Sequence, residues 1–187
     1  MFVAALAGGC APRIGAKAPE PTVVASNVEA PAGTTLVQAC TPTGPELCFN
    51  AIDDNCNGVI DEGCGVPTGL LQFTLAWAGS AEVDLVLVTP SKERVPEGRA
   101  RSTPSGFHLD RDCPQDGCGG QNVENIHYDG SEPPRGHYVV EITLGELHDS
   151  APPIAARFGA RLGTQTVGFD VTLSPGDDAR KQFGFDL

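Results

Sequence analysis

The sequence predicts an all-β protein, with a β-sandwich or jelly-roll-like domain behind a small disulfide-rich loop unit. Segments of alternating apolar and polar residues supply the strands. The 23 Gly and 16 Pro among 187 residues, with one Met and 6% aromatics, suit many turns better than long helices. Cysteines at 40, 48, 56 and 64 fall at regular intervals around Asp and Asn residues, marking a stapled unit distinct from the strands.

In chain order, residues 1–10 read as an export remnant and 11–39 as a disordered Pro/Ala-rich tether, with prolines at 12, 19, 21 and 31. Residues 40–66 form the Cys-rich unit, too short for a core of its own, so disulfides or a metal must stabilise it. Residues 67–187 form the sandwich. Phe73, Leu75 and Trp77 against Thr74 and Ala76 predict a half-buried strand. Val83 to Leu87, Tyr138 to Leu144 and Phe169 to Leu173 repeat the alternation. Weaker strands are expected at Ile154 to Leu162, turning at Gly163-Thr164 into 165–173, and at Phe183 to Leu187. Residues 91–136, rich in Ser, Pro, Gly, Asp and Arg, read as a long loop of the kind that carries contacts, pinned by a local Cys113–Cys118 disulfide.

Charge narrows the partners. The net charge is −12, and no Lys or Arg stands between Lys17 and Lys92, an interval that holds nine carboxylates. Nucleic acid and anionic membrane surfaces both require a basic footprint, which leaves a cation as the implied partner. Seven cysteines point to an oxidising compartment. The odd one is Cys10, closing the run Leu6-Ala-Gly-Gly-Cys10, which resembles the end of a bacterial lipoprotein signal peptide. That resemblance implies lipidation of Cys10 and an anchored protein at the outer membrane or cell surface. The competing reading is a frayed apolar terminus with a stray thiol.

The segment Asp53-Asp-Asn-Cys-Asn-Gly-Val-Ile-Asp-Glu62 places oxygen side chains at loop positions one, three and five, Gly at six and a carboxylate at nine. Calcium takes about 6–8 hard oxygen ligands, and alternate residues of a tight loop aim theirs at a common centre. The assigned ligands are Asp53, Asn55, Asn57, the Val59 carbonyl, Asp61 and Glu62, with Ile60 as an apolar peg and Gly58 at the sharp turn. Position twelve, where an EF-hand has its bidentate Glu, is Cys64, so Glu62 or water closes the shell. The alternative is an Asx-rich turn that binds nothing.

Glu46, Cys48, Asp53, Asp54, Asn55, Cys56, Asn57, Gly58, Asp61 and Glu62 together resemble a metal-binding motif of bacterial surface proteins named for a copper-binding protein. The name implies copper. The loop, though, offers oxygens and no imidazole, which favours calcium. Farther on, Asp84-Leu-Val-Leu-Val-Thr-Pro90, Glu124-Asn-Ile126 and Gly136-His-Tyr138 resemble a bacterial surface β-sandwich domain, with Val86 where that domain has His. Asp84 is then expected to meet Glu124 or Asn125 in a second ion site, or to be a polar strand-edge residue satisfied by water.

No nucleophile elbow or dinucleotide fingerprint occurs. His108, His127, His137 and His148 form no H-x-x-x-H pair, so a zinc hydrolase is the minority reading. The expected function is non-catalytic: a calcium-binding, lipid-anchored surface module for adhesion, with a surface protein or polysaccharide as partner. The alternative is a purely structural envelope protein with a calcium-stabilised spacer.

Overall fold

Alternation along the strands sorts the chain into two antiparallel sheets that share one core. The computed structural model describes residues 27–37, 42, 44–113, 115–119 and 121–187. Its strands are β1 (Asn27–Glu29), β2 (Thr35–Val37), β3 (Leu71–Ala78), β4 (Val83–Val88), β5 (Arg94–Val95), β6 (Phe107–Arg111), β7 (Gln121–Tyr128), β8 (His137–Leu144), β9 (Ile154–Leu162), β10 (Gln165–Leu173) and β11 (Arg180–Asp186). One sheet runs β1-β11-β8-β4-β5 and the other β2-β10-β9-β3-β7-β6. Among the described residues no helix is long and apolar enough to cross a membrane.

The inner faces meet through aromatic rings. Phe158 of the larger sheet lies 4.6 Å from Phe183 of the smaller, Phe73 lies 5.6 Å from Phe185, and Phe107 lies 5.9 Å from Tyr138. All six are fully buried, and each apolar side chain of this size contributes about 1.5–3 kcal/mol of burial. Such cross-sheet interlocking fixes the strand register, because a one-residue slip would turn every ring to the outside. β9 and β10 form the expected hairpin, Leu162 opposite Gln165.

Three expectations change. Residues 91–136 are not one long loop: they hold β5, β6 and the eight-residue β7, which lies between β3 and β6. Its Asn122, Glu124 and Asn125 break the apolar pattern yet are buried, because other protein groups, rather than water, satisfy them. Residues 27–37, assigned to the tether, add the short strands β1 and β2 to an edge of each sheet, β1 on β11 and β2 on β10. β3 is buried on both faces: Gln72, Thr74 and Ala76 are as shielded as Phe73 and Leu75. Something covers the outside of the larger sheet there, and it is the Cys-rich unit. Cys10, Cys40 and residues 11–26 lie outside the described residues.

Candidate metal centre

The Cys-rich unit is welded to the sandwich. A Cβ at Gly159 of β9 would sit 2.2 Å from the Ala51 carbonyl oxygen and 3.1 Å from Ile60 Cδ1, so only glycine lets the unit lie against the sheet. Ala51, Val66, Ala76 and Val123 form a small second core under it, with Phe49 packed alongside and the Arg111 guanidinium 5.0 Å over the Phe49 ring. Ile60, expected as an apolar peg, is 1% exposed. Below it runs a buried polar network in which Gln72 Nε2 donates to the Ile60 carbonyl and to Asn125 Oδ1, both at 3.0 Å.

Within the unit the backbone is tightly coiled. Phe49, Ala51, Cys56 and Asp61 all hold positive φ, between 52° and 64°, which side-chain-bearing residues adopt only when held. Two kinds of clamp hold them. Cys48 and Cys64 form a disulfide, and Cys56 is also disulfide-bonded. Carboxylates cap the turns: Asp61 accepts the backbone N–H groups of Asn50 (3.2 Å) and Ala51 (3.1 Å), and Glu46 accepts those of Asp54 (3.2 Å) and Asp61 (2.9 Å). Burial pushes the Glu46 carboxyl up to about 7 and raises that of Asp61 as well, against the lowering effect of those amides.

The loop from Asp53 to Glu62 closes on Gly58, whose φ of 85° matches the sharp turn. Asp53 Oδ1 accepts the Asn57 N–H at 3.0 Å and Oδ2 the Gly58 N–H at 2.9 Å, so position one ties down positions five and six. Asn55 and Asn57 each fold their carbonyl oxygen onto the backbone two residues on. Their amides both reach Glu62 Oε1, Asn55 at 2.5 Å and Asn57 closer still. Glu62 Oε2 is buried and has no hydrogen-bond partner among the described residues. Asn55, Asn57 and Glu62 thus converge on one point and Asp53 joins through the loop backbone. Asp61 instead turns its carboxylate to the 50–51 turn, while the Val59 N–H is held by Asn57 Oδ1.

Sequence reasoning missed the residues that reach the loop from the sandwich. Thr166 Oγ1 of β10 donates to Asp53 Oδ2 at 3.0 Å across 113 residues of chain. Arg161 of β9 stands directly opposite Thr166, within the electrostatic reach of Asp53 and Glu62. Nothing local in the sequence signals either contact. Glu46 alone had a signal, its place in the motif.

The other candidate residues do not assemble. Glu124 is 2% exposed and gives Oε2 to the Leu85 N–H at 2.7 Å, while Asn125 joins the network under the Cys-rich unit. Burial raises the carboxyls of Glu124 and Asp84; Glu124 feels the charges of Asp112 and Asp84, so the two do come near one another, yet no chelating group of three ligand atoms forms there among the described residues. The histidines pair with carboxylates one at a time: His108 with Asp129, His127 with Asp110, His137 with Asp186 and His148 with Glu146. Among the described residues, only Glu82, Glu146 and His148 converge, on an exposed rim. Cys113 and Cys118 form a disulfide beside β7.

No curated protein and no solved structure matches the chain at a significant level. Residues 38–62 match the family model Cu-binding_MopE, described as "Putative metal-binding motif", and its residues 46–62 form the loop capped by Glu46, Asp53 and Asp61.

Proposed function

We propose that the loop binds calcium, through the side chains of Asp53, Asn55, Asn57 and Glu62 and the Val59 carbonyl, with Asp61 bracing the loop from behind. The observation that carries this reading is Glu62 Oε2, a buried carboxylate oxygen with no partner beside two carboxamides. A buried anionic oxygen left unmatched is costly, and a cation is what would match it. The set is wholly oxygen: Cys48, Cys56 and Cys64 are in disulfides, and all four histidines pair with carboxylates outside the loop. Copper favours imidazole or thiolate sulfur, whereas hard oxygens suit calcium.

Around that site we infer an exported, non-catalytic surface protein, lipid-anchored at Cys10, in which calcium stabilises a module for adhesion or envelope assembly. The acidic charge and the disulfides support an extracytoplasmic setting. Isothermal titration of the full chain with calcium, copper and zinc tests the metal. The expected result is one calcium site of extracellular affinity, with a dissociation constant of about 10⁻⁴–10⁻³ M. Stoichiometric copper binding with no calcium heat would overturn it.

A further inference from the structure

We propose that Arg161 is the built-in counter-cation of the metal loop, occupying the loop's field when no ion is bound and setting how tightly an ion is held. The inference rests on the calcium reading and adds to it a residue from outside the motif. Arg161 lies on the outer face of β9, in a row with Gln72 of β3 and Thr166 of β10. Thr166 touches Asp53, and the next turn of the same hairpin runs against the loop, since a Cβ at Gly58 would stand 3.1 Å from the Thr164 carbonyl oxygen.

The side chain is aimed and held. Arg161 Nε donates to the Gly163 carbonyl at 3.0 Å, which folds the guanidinium over the hairpin end that faces the loop. Partial burial disfavours its charge, and Asp53 and Glu62, two of the assigned ligands, are the charges that act the other way, yet it forms no ion pair with either among the described residues. A guanidinium at that separation offsets the carboxylates without entering their shell. Arg157, four residues earlier on the same face, is by contrast tied to Asp170 at 3.0 Å. Among the described residues Arg161 forms no such ion pair.

Two effects follow from Coulomb's law. With the loop empty, the fixed positive charge relieves repulsion among Asp53, Glu62 and their neighbours, which offsets part of the cost of burying the guanidinium. With an ion present, the same charge repels it, so affinity is set below what the oxygens alone would give. Calcium affinity and the relief of repulsion in the empty loop therefore trade against one another at a single side chain.

The test uses the full chain with Arg161→Gln, Arg161→Lys, Glu62→Gln and the 161/62 double variant, and Arg157→Gln as control. Calcium titration of Arg161→Gln is expected to give a dissociation constant about 3–10-fold lower than wild type, with Arg161→Lys and Arg157→Gln near wild type. In excess chelator, the melting temperatures of Arg161→Gln, Glu62→Gln and the double variant should not add: Arg161→Gln should be better tolerated on the Glu62→Gln background than on wild type, because the attraction it removes is already gone. Equal calcium affinity in wild type and Arg161→Gln, or no coupling between positions 161 and 62 in chelator, overturns the proposal. A wild type that binds no calcium but shows the coupling would end the calcium reading and leave the counter-cation role standing.

Discussion

At the scale of single residues, the glycine under the loop and the buried carboxylate between the sheets make the sharpest predictions. Gly159 has an ordinary backbone conformation, so its role is space, and Gly159→Ala must lift Ala51 and Ile60 off the sheet. Overpacking of this kind costs about 1–3 kcal/mol, read as a lowered thermal midpoint, and calcium affinity should weaken with it. An unchanged midpoint would mean that the unit is not seated on β9. Glu124 supplies a pH signature. Burial raises its folded-state carboxyl well above the usual 4.5, so its contribution to stability is full below that value and is lost as pH rises through the folded one. As pH rises above the ordinary carboxylate range, wild type should therefore lose more stability than Glu124→Gln, whose side chain cannot ionise. Parallel melting curves across that range would contradict the assignment.

At the scale of elements, the account turns on which strands hydrophobic alternation reveals. Tyr138 to Leu144 and Phe169 to Leu173 have one face on the core, and their period of two is plain in the sequence. β7 is hidden because Glu124 points to the core to take the Leu85 amide, while Asn125 points outward yet is covered by the Cys-rich unit. A polar residue in either place mimics a loop unless its distant partner is known. β1 and β2 are three residues each and exposed at the sheet edges, too short for any periodic signal. The loop was more legible: spacing picks Asp53, Asn55, Asn57 and Asp61, with Glu62 only as a residue to close the shell; Asp61 turns instead to the 50–51 amides, and Thr166 and Arg161 arrive through strand pairing. The Cys48–Cys64 link encloses a 16-residue separation, and closing a loop of that size is worth about 3 kcal/mol in the chain-entropy account. Reduction should therefore loosen the Cys-rich unit first. Hydrogen exchange would show the amides of Asn50, Ala51 and Gly58 losing protection before those of β8 and β11; simultaneous loss throughout would contradict this order.

At the scale of the whole molecule, the metal loop and the sandwich form one cooperative body rather than two beads on a chain. The unit covers the outer face of β3, its own core includes Ala76 and Val123 of the sheet, and its first carboxylate is held by Thr166. A cation that organises the loop thereby stabilises the face of the larger sheet by linkage. The most direct measurement is the thermal unfolding of wild type and Glu62→Gln in chelator and in millimolar calcium. The account predicts a single transition in wild type that moves to higher temperature with calcium, magnesium doing little at equal concentration, and no calcium-dependent movement in Glu62→Gln. A calcium shift of equal size in both proteins would show that the buried Glu62 oxygen is not a ligand and that the loop at 53–62 is not the site.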